Sequence, residues 1–95
     1  MRHFKDTICV ITGAGSGIGA ACAQAMAREG ALIIGTDLRQ NMLAETKERI
    51  EAAGGAMENF MVDVADRDAM FDLAATVEKQ YGPVDLILNN AGVAF

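Results

Sequence analysis

The sequence predicts an α/β protein in which helices cover both faces of a parallel sheet. Four short apolar runs alternate with three longer segments of helical periodicity, and the connections between them are short. Strands that are separated by helices in this way pair in parallel. We therefore expect a doubly wound sheet of four strands in the order 3-2-1-4, with a ligand crevice between strands 1 and 4.

The predicted strands are the apolar runs, which cover residues 7–12, 31–36, 56–62 and 84–88. The first run shows no alternation of apolar and polar residues, which is typical of a strand buried on both faces. The three predicted helices cover residues 17–29, 39–53 and 66–81. Gly30, Gly54-Gly55 and Gly82-Pro83 end them in turn.

Apolar periodicity also predicts which helix residues face the sheet. The expected residues are Ile18, Ala21, Cys22, Ala25 and Met26 in the first helix; Leu43, Thr46, Ile50 and Ala53 in the second; and Met70, Leu73, Ala74, Val77 and Tyr81 in the third. Cys9 and Cys22 fall in apolar surroundings, so we expect buried, unreactive thiols and no disulfide.

The composition narrows the class of protein. With 95 residues, of which 52% are hydrophobic, the chain forms one globular domain at most. Its net charge is −5 and the acidic and basic residues are interleaved, which argues against nucleic acid or an anionic membrane as a partner. The sequence shows no signal peptide and no apolar run of membrane-spanning length, so we expect a cytoplasmic location.

The glycine loop, residues 12–19, reads Thr-Gly-Ala-Gly-Ser-Gly-Ile-Gly and lies between the first strand and the first helix. Glycines let a backbone approach phosphates closely, and the amides at the start of a helix point towards negative charge. Two spacings fit: Gly15, Gly17 and Ala20 match one dinucleotide template, whereas Gly13, Gly17 and Gly19 match another. A nucleoside-triphosphate P-loop is excluded because no Lys-Ser/Thr pair follows the last glycine.

Asp37 ends the second predicted strand, where a carboxylate can accept both hydroxyls of an adenosine ribose. A 2′-phosphate there would face a like charge, at a cost on the order of 4 kcal/mol before screening. Neither Ser16 nor Leu38 is basic, and Arg39 lies two positions on. The sequence therefore predicts NAD in preference to NADP.

Polar residues also follow the third and fourth strands. Asp63-Val64 is compatible with adenine recognition or with a turn that leads into a helix and needs no ligand. Asn89-Asn90-Ala91-Gly92 is compatible with a cofactor contact or with a simple turn.

Together, the glycine loop, Asp37, Asp63-Val64 and the Asn-Asn-Ala-Gly segment resemble the amino-terminal half of the short-chain dehydrogenase/reductase family, over essentially the whole chain. The resemblance implies a Rossmann-type fold that binds NAD(H). In a complete member it implies interconversion of an alcohol and a carbonyl by hydride transfer. The implied cofactor-binding residues are Gly13, Ser16, Gly17, Ile18, Gly19, Asp37, Leu38, Asp63, Val64 and Asn90. The glycine-loop residues would hold the pyrophosphate and adenine-ribose region, Asp37 the ribose, Asp63 and Val64 the adenine, and Asn90 the nicotinamide side.

The same resemblance implies a catalytic tyrosine with a lysine four residues later, assisted by a serine and an asparagine. The one tyrosine, Tyr81, is followed four residues later by Asp85, and the one serine, Ser16, lies in the glycine loop. We therefore predict no catalytic residue and no metal site. We interpret residues 1–95 as a single partial dinucleotide-binding domain, truncated before the catalytic half.

Two other functions stay open. The chain could be a non-catalytic nucleotide-binding protein, and the open edge of the fourth strand is expected to pair with a second copy or a complementary fragment. An S-adenosylmethionine methyltransferase core would suit Gly13, Gly15 and Gly17 as well. Thr12 in place of an acid before the loop counts against that alternative, as does the Asn-Asn-Ala-Gly segment.

Overall fold

The computed structural model describes residues 6–15, 17–63 and 65–90. The elements are β1 (Ile8–Thr12), α1 (Gly17–Arg28), β2 (Leu32–Thr36), α2 (Gln40–Ala52), β3 (Ala56–Phe60), α3 (Arg67–Tyr81) and β4 (Leu86–Asn89). The strands form one parallel sheet in the order β3-β2-β1-β4, which confirms the predicted doubly wound topology. Within the described ranges, no helix combines the length and apolar character needed to cross a bilayer.

The register of the strands brings their last residues into line. Thr12 pairs with Thr36 on one side and with Asn89 on the other, and Thr36 pairs with Phe60. We call this line the carboxyl edge of the sheet, and the line of first residues at the opposite end the amino edge. Because the strands are parallel, the segments that follow β1, β2, β3 and β4 all leave the sheet at the carboxyl edge.

The core consists of two apolar clusters, one on each face of the sheet. Cys9 and Ile11 of β1 pack with the residues of α1 and α2, whereas Ile8 and Val10 pack with Leu73 and other residues of α3. Every residue of β1 is buried, as predicted for a central strand covered on both faces. The sheet therefore holds the carboxyl edge as a rigid platform.

The predicted inward stripe of α1 is wrong. The residues that face the sheet are Gly19, Ala20, Ala23 and Ala27, whereas Ile18 is 72% exposed, Ala21 and Ala25 are exposed, and Cys22 and Met26 are only half-buried. In a helix composed almost entirely of apolar residues, periodicity does not identify one face. Close contact at Gly19 determines the rotation of α1, and the small alanines let the helix approach the sheet.

Other boundaries and orientations differ in detail. Leu43, Thr46 and Ile50 face inward as predicted, but Ala53 is exposed because it caps the end of α2 rather than packing beneath it. Tyr81, at the end of α3, is also exposed. The last strand, β4, begins two residues later than expected and extends to Asn89, since its pairing with β1 begins only at Leu86.

Asp85 joins the start of β4 to the start of β1. Its carboxylate accepts a hydrogen bond from Ile8 N at 2.8 Å, and its own amide donates to Ile8 O at 2.9 Å. Burial, with a smaller contribution from Asp85, raises the pKa of the Cys9 thiol. The thiolate fraction of Cys9 is therefore low, which agrees with the expected unreactive thiol. Both Cys9 and Cys22 are free cysteines.

Two isoleucines test how the core is distributed. Ile33 of β2 is fully buried, whereas Ile87 of β4 is 58% exposed. We expect Ile33→Val to lower the free energy of unfolding by about 1 kcal/mol, because it removes a buried methylene from a packed site. We expect Ile87→Val to change it by less than about 0.5 kcal/mol. Urea denaturation of both variants measures the difference, and equal losses would contradict the assignment of Ile33 to the core.

Candidate functional site

The glycine loop crosses the carboxyl edge directly after β1. Gly13 and Gly17 have φ values of +66° and +59°, a backbone conformation that favours glycine and turns the chain sharply from strand to helix. Ala14 N donates to Thr36 O at 3.0 Å, which ties the loop to the end of β2. Ser16 lies outside the described residues.

Gly19 is the position where the loop and α1 approach most closely. A Cβ atom at Gly19 would lie 2.1 Å from Gly13 O and 2.7 Å from Asn90 Nδ2, so a side chain has no room there. The absence of a side chain therefore lets α1 begin directly against the loop. In dinucleotide-binding folds, the last glycine of the loop likewise permits close packing of the helix against the strand.

Gly17, in contrast, faces open space. A Cβ at Gly17 would meet no described atom within 4 Å, and the first turn of α1 contains no acidic residue. The first amides of a helix have no partner within the helix and carry the positive end of its dipole. The start of α1 can therefore receive a phosphate without steric conflict at Gly17 and without an acidic residue in the first turn of the helix, which is the fit that a dinucleotide requires.

Asp37 lies beneath the loop at the end of β2, with its side chain only 5% exposed. One carboxylate oxygen, Oδ2, accepts from Gly15 N at 3.0 Å and from Arg39 Nη2 at 3.2 Å. The other, Oδ1, accepts from Arg39 N at 3.0 Å and from Arg39 Nε at 3.1 Å. A Cβ at Gly15 would lie 2.7 Å from Oδ2, so this glycine makes room for the carboxylate.

These contacts determine the protonation of Asp37. Burial of the carboxyl alone would raise its pKa, but the hydrogen bonds from Arg39 and Gly15 and the charge of Arg39 outweigh that effect. The pKa of Asp37 is therefore lowered from its ordinary value of 3.8, and the side chain is an anion at neutral pH. The negative charge from which the sequence predicts a preference for NAD is thus present.

Thr12, Asn89 and Asn90 form a junction between β1 and β4. The Thr12 hydroxyl donates to Asn89 Oδ1 at 2.9 Å and accepts from Asn90 N at 2.9 Å. The Asn90 side chain then donates to Gly13 O at 3.2 Å. Asn90 therefore fixes the glycine loop from the β4 side, opposite the contact that Asp37 makes from the β2 side.

Asp63 makes local contacts. Its carboxylate accepts from Ala65 N at 2.9 Å, and its backbone oxygen accepts from Asp66 N at 2.9 Å. Asp66 in turn caps α3 by accepting from Ala69 N. These contacts form a turn that leads into α3, and Asp63 is exposed at the surface, so adenine recognition stays a prediction. Val64 lies outside the described residues.

The structure thus brings Gly13, Gly19, Asp37 and Asn90 into one connected arrangement. Ile18 and Leu38 are the sequence neighbours of Gly19 and Asp37, and each is 72% exposed. Sequence reasoning missed two contributions: Gly15 as the amide bound by Asp37, and Arg39 as the partner of the carboxylate. A basic residue two positions after a strand-ending aspartate was the available signal for Arg39.

The cavities of the structure, taken alone, would place the candidate site at a different edge of the sheet. A cavity of about 600 Å³ lies at the amino edge, lined by residues that include Asp6, Arg28 and Tyr81. None of the described residues of the glycine loop lines this cavity. A groove of about 390 Å³ between α1 and α2 instead begins at Gly15 and Gly17. We assign the site to the carboxyl edge because the open helix start and the anionic side chain lie there.

Comparisons with known proteins agree with this geometry. The family model described as short chain dehydrogenase matches residues 7–95. The chain is 41% identical over 91 residues to the probable oxidoreductase EphD of Mycobacterium tuberculosis, an alignment that covers 96% of this chain and 15% of EphD.

Two solved structures are similar to the chain. The crystal structure of a metagenomic short-chain oxidoreductase in complex with NADP has a TM-score of 0.90 and 35% identity, and the match covers 97% of this chain and 42% of that one. NAD⁺-bound xylitol dehydrogenase has a TM-score of 0.87 and 30% identity, over 95% of this chain and 35% of that one. The chain therefore spans less than half the length of each protein compared. It corresponds to the amino-terminal, cofactor-binding portion of a short-chain dehydrogenase.

Paired substitutions test the junction at β4. Thr12→Val removes a hydroxyl that makes two hydrogen bonds to described residues, and we expect the free energy of unfolding to fall by about 1–3 kcal/mol. Thr36→Val is the matched control, because Thr36 is its register partner and the buried Thr36 hydroxyl has no partner among the described atoms. We expect that change to be neutral or stabilising. Equal losses in urea denaturation would show that the Thr12 hydroxyl contributes nothing specific.

The pH dependence of stability tests the Asp37 contacts. Because the folded-state pKa lies below the ordinary value of 3.8, the stabilisation is complete above that value and is lost as pH falls below it towards the folded-state pKa. We expect the stability difference between wild type and Asp37→Asn to be constant from about pH 7 to about pH 5 and to shrink below about pH 4. Chemical denaturation across this range measures it. A difference that grows on acidification would contradict a lowered pKa.

Proposed function

Because the chain belongs to the short-chain dehydrogenase family, we propose that its carboxyl edge binds the adenosine diphosphate portion of a nicotinamide dinucleotide. One observation carries the proposal. The glycine loop is held from both sides, by Asp37 and by Asn90, while the start of α1 stays open at Gly17. A loop that is hydrogen-bonded in this way, with an open helix start, suits a pyrophosphate because its amides are positioned before the ligand arrives.

The proposed roles follow from position. Around the phosphates and the adjoining ribose we place Gly13, Ser16, Gly17, Ile18 and Gly19. Asp37 and the neighbouring Leu38 would contact the adenosine ribose, and Asp63 with Val64 the adenine. Asn90 would lie towards the nicotinamide. For Asp37 and Asn90 the support is direct contact with the glycine loop, whereas for Asp63 it is the position after β3 at the carboxyl edge.

We further propose a preference for NAD over NADP. The support is the buried, anionic Asp37, since a 2′-phosphate at about 4 Å from it would meet a repulsion on the order of 4 kcal/mol before screening. One of the compared structures holds NADP and the other NAD⁺, so similarity to these proteins does not by itself indicate which cofactor binds. The proposed preference therefore depends on the Asp37 side chain.

In the whole protein, we propose that the bound dinucleotide accepts or supplies hydride as an alcohol and a carbonyl are interconverted. The described residues contribute binding and orientation, and we assign none of them to proton transfer. Tyr81 supports this assignment, because it lines the cavity at the amino edge, away from the glycine loop.

The edge of β4 suggests a second property. Leu86 is 41% exposed and Ile87 58% exposed, and β4 pairs with β1 alone among the described strands. We propose that a further strand pairs along β4, from a second copy or from a complementary segment.

The described elements share one sheet, so we propose that they form one domain. The free cysteines are the support for a cytoplasmic location.

Calorimetric titration tests cofactor choice. We expect NAD to bind at least about tenfold more tightly than NADP, because the Asp37 charge opposes the 2′-phosphate. Asp37→Asn, which keeps an acceptor oxygen for Gly15 N, should bring the two affinities together. Asp72→Asn, an equal charge change on the exposed surface of α3, should leave the ratio unchanged.

Each result has a distinct meaning. Tighter binding of NADP by the wild-type protein would overturn the NAD preference. Binding of S-adenosylmethionine without binding of either dinucleotide would overturn the proposed function. An unchanged ratio in Asp37→Asn would remove Asp37 from the ribose site.

A further inference from the structure

The Arg39 guanidinium contacts both oxygens of the Asp37 carboxylate, the group to which we propose that a ribose binds. Its Nε and Nη2 donate to Oδ1 and Oδ2 at 3.1 and 3.2 Å, a two-pronged contact with both oxygens. The carboxylate is 5% exposed and the arginine side chain 54% exposed, so the arginine lies on the outer side of the pair. A ligand that approaches Asp37 from solvent therefore meets Arg39 first.

The carboxylate has little capacity left for further donors. An ionised carboxylate offers about four acceptor positions. Two backbone amides, Gly15 N and Arg39 N, and two side-chain donors of Arg39 already use that number. The amides belong to the folded backbone of two loops, whereas the half-exposed side chain can rotate away. Two ribose hydroxyls would replace the two guanidinium donors one for one.

We infer that the Arg39 side chain occupies the ribose position of Asp37, is released when the dinucleotide binds, and helps to determine the choice between NAD and NADP. This inference rests on the proposed function. After its release, the guanidinium remains near Asp37, because Arg39 is only two positions further along the chain. It would then lie beside the ribose 2′ position. There its positive charge offsets the repulsion between Asp37 and a 2′-phosphate.

Arg39 therefore acts in opposite directions on the two cofactors. Towards NAD it is a competitor, because its contacts with Asp37 must be broken and the uncharged 2′-hydroxyl gains little from the cation. Towards NADP it is a partner, because the phosphate can pair with the guanidinium. The wild-type protein should thus discriminate against NADP less strongly than Asp37 alone would.

Arg39→Leu tests the inference by titration calorimetry with NAD, NADP, 5′-AMP and adenosine 2′,5′-bisphosphate. We expect NAD and 5′-AMP to bind as tightly as in wild type or more tightly, and the two 2′-phosphorylated ligands more weakly. The NADP-to-NAD ratio of dissociation constants should rise by about tenfold, the value of one lost charge-assisted hydrogen bond. Arg39→Lys keeps the charge and should keep the ratio near that of wild type.

Arg28→Leu is the matched control. It removes the same charge from an exposed position in the last turn of α1, away from the carboxyl edge, and should leave the ratio unchanged. Release of the side chain is measured separately by the ¹⁵N–¹H signal of Arg39 Nε, identified by its loss in Arg39→Leu. We expect this signal to shift when the wild-type protein is saturated with NAD.

The outcomes separate the inference from the proposed function. If wild type binds neither dinucleotide, the proposed function fails. If NAD binds but Arg39→Leu leaves the ratio unchanged, or weakens all four ligands equally as a purely structural residue would, the specificity role is overturned. If the Nε signal is unmoved at NAD saturation, the release of Arg39 is overturned.

Discussion

Asp37 accepts hydrogen bonds from the backbone of two loops that meet at the carboxyl edge, from Gly15 N in the glycine loop and from Arg39 N in the turn after β2. A buried carboxylate is costly to desolvate, and these donors offset that cost only while both loops keep their conformation. The loop that is proposed to receive phosphate and the turn that is proposed to receive ribose are therefore held by one anion. Much of the geometry at the edge depends on it.

Two glycines of the site are required because neighbouring protein atoms lie too close to leave room for a side chain. Gly15 leaves space for the carboxylate, and Gly19 leaves space for the Gly13 carbonyl and the Asn90 amide. Gly17 combines positive φ with open space, so it is a glycine of the loop at which a ligand, rather than the protein, can fill the vacant volume. Spacing in the sequence does not distinguish these different requirements.

The alternation of strands and helices, the strand order and the buried central strand were all predictable from the sequence, because parallel sheets impose long apolar runs and short connections. The rotation of α1 was not, since alanine on every side of the helix removes the contrast on which periodicity depends. Gly19 would have indicated the correct face, with Ala20, Ala23 and Ala27 on the same side. Likewise, the position of Asp37 was predictable, but its saturation by Arg39 was not, because that depends on the rotamers of two side chains within one turn.

The Asp37 carboxylate both anchors the glycine loop and carries the charge that is proposed to repel a 2′-phosphate, which limits how cofactor preference can be redesigned. Replacing the aspartate with a residue that lacks an acceptor oxygen would remove the anchor of the glycine loop together with the charge, so a change in selectivity made in that way would be accompanied by a looser glycine loop. Leu38 and Arg39 are both exposed at the surface, and neither is the buried carboxylate that accepts from the two loops. Positions beside the aspartate therefore offer a route by which this portion of the family can diverge in cofactor use while its loop architecture is preserved.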